Sequence, residues 1–434
     1  MATHRRAQAP RDANPGRDRG PGVWASGGLG PVILYVWLAS LGTGAVTDGV
    51  FFLTESAYGY GRGLNLALGL ASHTLYIPGA LLIGPLLRRI AAHRRGFSAR
   101  GAVTLITIVL GAVCLLPAAV AATDGSPGHP PAWTVWVVAL VYAPMTGALW
   151  PIGEAFVTGG RQGRRLTKAV GAFNLSWASA MIAAYWLMAP IVEERPIDVL
   201  TWLGVVHLGT LAVLPRFAPE PGAHREGPRE PDPVAGAALP VFRILLPASF
   251  IVMSTLTPVL SVSLGEMDIG PTWRPPLAGT WLVTRVAMFL VLHAWHGWYG
   301  RAWLAPVSMG ALVVSFAGAL LGPALGPGAG PIALVVVSLV VVGAAQAMIY
   351  KAALAYVMAA GDADVDAGGT HEALIGLGYT LGPLLGVLAS QTAGGDGLWA
   401  DLGVVSAVGG VTLAVSAVAL LRRRRPGAMG RATP

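Results

Sequence analysis

Long apolar runs, each about the length of a bilayer crossing, alternate along this chain with short segments rich in arginine, glycine and proline. A window of about 19 residues resolves them into twelve predicted helices. The first six run from Pro31 to Leu53, Leu64 to Leu87, Gly101 to Ala122, Ala132 to Val157, Val170 to Val192 and Val199 to Pro215. The second six run from Val241 to Gly265, Leu277 to Trp298, Ala302 to Gly322, Pro331 to Met358, Gly376 to Ala393 and Leu402 to Leu421. A spanning helix needs about 20 apolar residues to cross a hydrocarbon core of about 30 Å, whereas a barrel would show short alternating strands. The pattern therefore predicts an all-α integral membrane protein.

The polar segments divide it: a basic tail over 1–29, a six-helix bundle over 30–216, a cytoplasmic linker over 217–240 containing PEPGAHREGPREPDP, a second six-helix bundle over 241–425 and a short tail over 426–434. The first tail has no apolar core, so no cleavable signal peptide is read there, and disorder with contact to anionic lipid is expected.

Composition agrees with the pattern. Only 12% of the 434 residues are charged, half of the roughly 25% of an average soluble domain, and the mean hydropathy is +0.62. The 58 glycines and 33 prolines suit membrane helices, where neighbours re-satisfy an interrupted backbone. The single cysteine, Cys114, allows no internal disulfide and no cysteine-ligated zinc. No metal, cofactor or catalytic signature is read; Asp362, Asp364 and Asp366 lack the glycine and the position-12 glutamate of a calcium loop.

A net charge of +8 becomes informative once placed. Arginines and lysines fill the first tail, loop 2/3 (Arg88, Arg89, Arg94, Arg95, Arg100), loop 4/5 (Arg161, Arg164, Arg165, Lys168), the linker with its flanks (Arg216, Arg225, Arg229, Arg243), loop 8/9 (Arg301) and the C-terminal end, putting 24 of 29 on one side of the predicted topology. Only Arg62, Arg195 and Arg274 fall in the opposite loops. Cytoplasmic loops collect positive charge, so both termini are expected in the cytoplasm, in a multi-pass protein of the cytoplasmic (inner) membrane. The charge is a topology signal, and no nucleic-acid partner is expected.

The halves also resemble each other. Helix 1 ends in LTESAYG and helix 7 in LGEMDIG, with Leu53, Glu55 and Gly59 matching Leu264, Glu266 and Gly270 at an offset of 211; a lone arginine, Arg62 or Arg274, follows each. The starts of helices 5 and 11, KAVGAFNLSW and EALIGLGYTL, form a second correspondence. Helix 11 continues through Gly378, Gly382, Pro383 and Gly386, a spacing that permits close helix contact and loosens the backbone ladder. It reads as a packing groove or as a moving gate.

With twelve spans, a six-plus-six repeat and a central cytoplasmic loop, the chain resembles the major facilitator superfamily of secondary transporters over about residues 30 to 425. Helix 11 is similar to that family's GxxxGPxxGG motif, although the family carries it on helix 5, where this chain has Asn174, Ser176 and Trp177. Loop 2/3 is similar to the GxxxDRxGRR signature in Gly84, Arg89, Arg94 and Arg95, with Arg88 in place of the aspartate. The resemblance implies two pseudo-symmetric six-helix bundles and alternating access, with helices 1, 4, 7 and 10 lining a central cavity.

Four ionisable residues fall inside predicted spans, and each would cost about 2.5 to 3.5 kcal/mol at mid-bilayer. At about 1.5 Å per residue, Glu154 in helix 4 and Lys351 in helix 10 both lie near the cytoplasmic mouth, where they would form a gate pair or snorkel separately to the interface. Asp48 in helix 1 and Arg285 in helix 8 lie in the outer half. Asp48 is the first candidate for proton coupling; a static salt bridge or an interfacial position are its alternatives. His73, nearly the symmetry mate of Arg285, is either a titrating group or a packing residue. Tyr35, Trp37, Trp150, Gln346 and Tyr350, together with Asn174, are the candidate solute contacts, with interface anchoring as the plainer reading of the aromatics.

The expected function is secondary active transport of a small organic solute, coupled to protons, by a monomer surrounded by membrane lipid. The rivals are a multi-pass lipid or glycan transferase, a flippase of another fold and a transporter-like sensor without net flux. An enzyme is the weaker reading, because such enzymes carry polar catalytic loops or paired acids at the membrane surface, whereas the loops here are short and rich in arginine, glycine and proline.

Overall fold

A computed structural model of the chain describes residues 28–93, 96–125, 130–161, 163–222, 232–359, 365–393 and 397–423. Every regular element among them is helical. Helix α1 is composite: Leu29–Gly42 passes through a π-helical turn, Thr43–Asp48, into Val50–Tyr58, which Gly59 terminates in the left-handed conformation at φ 64. There follow α2 (Arg62–His93), α3 (Ala99–Thr123), α4 (Trp133–Thr158), α5 (Gly163–Met188) and α6 (Asp198–Thr210). The second half comprises α7 (Pro233–Glu266), α8 (Thr280–Ala294), α9 (Leu304–Leu321), α10 (Ala329–Ala359), α11 (Val365–Thr392) and α12 (Leu398–Arg423). Eleven helical stretches among the described residues are long and apolar enough to cross a membrane. Helix α5 matches them in length, with 26 residues, but Asn174, Ser176, Trp177 and Ser179 dilute its hydropathy.

The structure extends several predicted helices. Helix α7 starts at Pro233, inside the expected linker, because the Asp232 carboxylate accepts the N–H groups of Val234 (2.8 Å) and Ala235 (3.3 Å). Proline suits that first turn, where its missing N–H has no partner to lose. Helix α11 starts at Val365 instead of Gly376. Hydropathy finds the apolar crossing, and polar residues carry the helix beyond it. The tails 1–27 and 424–434, Arg94, Arg95, Asp362 and Asp364 lie outside the described residues.

Helices α1 to α6 pack mainly with one another, as α2 on α4, α3 on α6 and α1 on α5, and α7 to α12 do the same, as α7 on α11, α9 on α10 and α8 on α10. The halves meet chiefly where α2 and α4 lie along α11 and α5 along α8. Small residues allow the closest approaches. A Cβ on Gly382 would stand 2.3 Å from the Ile251 carbonyl of α7, and one on Gly44 would stand 3.0 Å from the Met181 backbone of α5.

Candidate functional site between the two halves

A cavity with about 600 Å³ of empty space, part of it continuous with solvent, lies where the halves meet. Ser40, Thr43 and Thr47 of α1 line it, together with Trp150 of α4, Trp177 of α5, Arg285 of α8, Tyr350 of α10, and Glu372 and Tyr379 of α11. The π-turn supplies part of this wall. A π-turn adds a residue to the helical ring and redirects side chains, which is why such turns recur at functional sites.

Arg285 is 2% exposed. Its guanidinium carbon lies 4.4 Å from the ring centre of Trp177, 5.0 Å from Tyr350, 5.6 Å from Trp281 and 5.7 Å from Phe289. Cation–π contacts are worth about 0.5 to 2 kcal/mol each, the more so when desolvated, which makes an arginine tenable here. Nε and Nη2 are buried without a hydrogen-bond partner. The Trp177 indole N–H donates to Asn174 Oδ1 at 3.3 Å, so Asn174 orients the ring against which the guanidinium rests. Asp48 is within electrostatic reach of Arg285, yet its Oδ2 is buried and unpartnered, and no salt bridge joins the two among the described residues.

A second polar group sits toward the end of the bundle that carries residues 28 and 423. Glu372, buried on α11, accepts a short hydrogen bond from the Tyr76 hydroxyl of α2. Glu154 of α4 interacts electrostatically with it, and a Cβ on Gly368, one turn before Glu372, would stand 3.1 Å from Glu154 Oε2. Glu154 Oε1 is buried and unpartnered. The two carboxylates thus share one pocket and belong to different halves. Lys351 is half-buried and forms no ion pair with Glu154 among the described residues. The expected Glu154–Lys351 gate is absent from this arrangement: the partner that Glu154 meets comes from α11, not α10.

The opposite end is ionic. Arg62, at the start of α2, donates from Nη2 to Glu266 Oε2 and from Nη1 to Asp401 Oδ1, both at 2.5 Å. Arg274 donates to Glu55 Oε1 at 2.9 Å. The matching positions of the internal repeat exchange partners, so that the arginine of each half holds the glutamate of the other. Asn65 Nδ2 donates to Ser261 Oγ at 3.0 Å, and Thr272 Oγ1 to Glu193 Oε2 at 2.9 Å, both again between halves.

Of the expected solute contacts, Trp150 and Tyr350 line the cavity. Tyr35 turns instead into the first half, where its hydroxyl meets Thr107 at 2.7 Å. Trp37 packs partly buried against the core, and Gln346 is buried with both amide atoms unpartnered. His73 lies one layer behind the cavity, its ring 4.7 Å from that of Tyr379 and its Nδ1 3.2 Å from the Tyr379 carbonyl. Gly378 and Gly382 press on α7, while Pro383 and Gly386 face Gly69 and Leu66 of α2, so the glycine motif packs against both halves at once. Glu372 and Asp401 were not among the sequence candidates. The repeat pairing of EALIGLGYTL with the start of helix 5 was the signal for Glu372, since it already placed that residue at a helix start.

Solved structures with the same fold are transporters. The nucleoside transporter NupG superposes with a TM-score of 0.62 at 13% identity, covering 92% of this chain and 99% of its own. A bacterial homologue of the human lysosomal transporter Spinster, inward-facing and unoccupied, gives 0.60 at 14% identity, over 93% and 98%. A POT family transporter in complex with a thioalcohol-conjugated peptide gives 0.64 at 12% identity, over 91% and 95%. The chain shares the fold of these transporters over more than nine-tenths of its length. No protein-family profile and no curated protein sequence matches it.

Proposed function

We propose that this protein is a secondary active transporter of the cytoplasmic membrane that moves a small organic solute by alternating access, coupled to protons. Both termini are cytoplasmic in this reading, so the Arg62 end is the outer one and its ion pairs keep the outer mouth closed. The observation that carries the proposal is the cavity between the halves, bounded by the buried Arg285 on one side and by the buried Glu372 on the other. A soluble-type core would bury apolar groups there, and a purely structural seam would pair its charges.

The Glu154–Glu372 pocket supplies a place for the transported proton. Two carboxylates in one pocket repel when both are charged, and a single shared proton removes the repulsion. Because one acid belongs to α4 and the other to α11, a rocking of the halves that parts them would free the proton, and their return would favour taking it up again. Asp48 is the second reading for this role, favoured by its unpartnered Oδ2.

The test is flux in proteoliposomes loaded with a pH-sensitive dye, using nucleosides, dipeptides and aromatic acids as solutes. The expected result is luminal pH change upon addition of a carried solute, lost in Glu372→Gln. Solute flux without proton movement would refute coupling, and chemical conversion of the solute would refute transport.

A further inference from the structure

We infer that the solute carries an anionic group, a carboxylate or similarly flat oxyanion, which Arg285 receives in the plane of its guanidinium while the surrounding rings stack on the apolar remainder. The inference rests on the transporter reading and adds to it the chemistry of the cargo. A guanidinium has two kinds of surface. Its faces are met by aromatic rings, and Trp177 at 4.4 Å and Tyr350 at 5.0 Å supply that contact. Its five N–H donors lie in the plane and need acceptors, preferably a carboxylate that takes two at once.

Here the faces are satisfied and the edge is not. Nε and Nη2 are the pair of donors that a flat carboxylate engages side by side, and both are buried without a partner in a residue that lines the cavity. The charged groups facing Arg285 do not fill the vacancy. Asp48 reaches it only electrostatically, without a hydrogen bond, and its other neighbours of this kind are the phenols Tyr350 and Tyr379. Glu372 is occupied by Tyr76 on the far wall, and a proton shared with Glu154 leaves Arg285 as the cation that the cavity presents. Trp150, Phe173, Phe250, Ile375 and Tyr379 give the remaining walls their apolar surface, and Ser40, Thr43 and Thr47 of α1 add hydroxyls on one side.

The experiment is calorimetric binding to the purified full-length protein in detergent at neutral pH, where no gradient or coupling enters. The probes are matched pairs that differ in charge alone: indole-3-acetate and indole-3-acetamide, phenylacetate and phenylacetamide, with tryptamine as the cation. The acid is expected to bind about 10- to 100-fold more tightly than its amide, the range of a charge-assisted hydrogen bond. Arg285→Gln abolishes that preference, and Arg285→Lys, which keeps the charge and loses the fork, retains only part of it. Trp177→Phe weakens acid and amide alike, because it removes stacking area and not charge.

Amides or tryptamine binding as tightly as the acids would overturn the inference, as would failure of every acid to bind at millimolar concentration. An acid preference that survives Arg285→Lys in full would overturn the assignment to this residue. The two readings fail separately: an acid that binds but never crosses a proteoliposome refutes transport alone, and a carried solute with no acid preference refutes this inference alone.

Discussion

The two ends of the seam between the halves are closed by different chemistry. At the Arg62 end, Arg62 and Arg274 reach across the pseudo-twofold axis to Glu266, Asp401 and Glu55. At the Glu372 end, the contacts are a tyrosine hydroxyl on a carboxylate, and α11 glycines set against α2 and α4. Both ends bury acids. Only the first gives them cations, and that difference sorts their roles. A buried ion pair costs about 3 to 5 kcal/mol to break by removing one partner, so it holds one arrangement firmly. An acid held across the seam by one tyrosine hydrogen bond worth about 1 kcal/mol is a contact that can be made and unmade. In the proposed transport cycle the first serves as a latch and the second as a switch.

The strongest way to break the contrast is to remove the latch. Arg62→Met leaves Asp401 buried without its cation, and a cysteine at Ser261 should then become reactive toward a water-soluble maleimide, while it stays protected in the parent. Native Cys114 is buried and adds no labelling of its own. Arg62→Glu combined with Glu266→Arg is expected to restore protection in part, since Asp401 then faces a glutamate.

Next in size is the switch. Glu372→Gln should cut proton movement in dye-loaded proteoliposomes at least about 10-fold while solute exchange persists, and Tyr76→Phe, which deletes one hydrogen bond worth about 1 kcal/mol, should shift the same readout about five-fold.

Two glycines of one motif test whether the halves slide along α11 or are locked to it. Gly382→Ala drives a Cβ to 2.1 Å from Ser254 Oγ and 2.3 Å from the Ile251 carbonyl, inside the second half, whereas Gly386→Ala meets only the Leu66 side chain across the seam. Overpacking against backbone costs about 1 to 3 kcal/mol, so Gly382→Ala should lower Tm by several degrees and Gly386→Ala by less. Lys351→Gln should change flux within about two-fold, because Glu154 does not pair with it; a rescue of Glu154→Gln by Lys351→Gln would restore the pair to consideration.

The smallest effect concerns Asp232, which starts α7. The hydroxyl of Tyr299, 2.6 Å from Oδ2, holds its carboxyl below the ordinary carboxylate range, and the N–H groups of Val234 and Ala235 add to this. The stability it lends is therefore complete above that ordinary range, near pH 4, and fades as pH falls through the lowered value. The Tm difference between the parent and Asp232→Asn should stay constant above about pH 5 and shrink on acidification.

Most of the fold was legible because a membrane imposes length and apolarity on every crossing, and the repeat around Glu55 and Glu266 marked the two halves. Asp48, Glu154 and Arg285 were legible for the same reason, as charges inside apolar runs. Glu372 was hidden by its own surroundings: THEAL is polar enough to end the hydropathy window, although the helix continues through it. Pairing was illegible in principle. Arg62 finds partners 204 and 339 residues away, and nothing local to Glu154 distinguishes Lys351 from Glu372 as its neighbour. The aromatic cage was only half visible, since Tyr350 was a candidate while Trp177 drew notice only as a departure from a motif.

The exchange of partners between Arg62 and Arg274 bears on how the protein is made. While the first half is being inserted, Glu266, Arg274 and Asp401 have yet to be synthesised, so Arg62 and Glu55 have only each other as counter-ions. The crossed pairs can form only once the second bundle has been added.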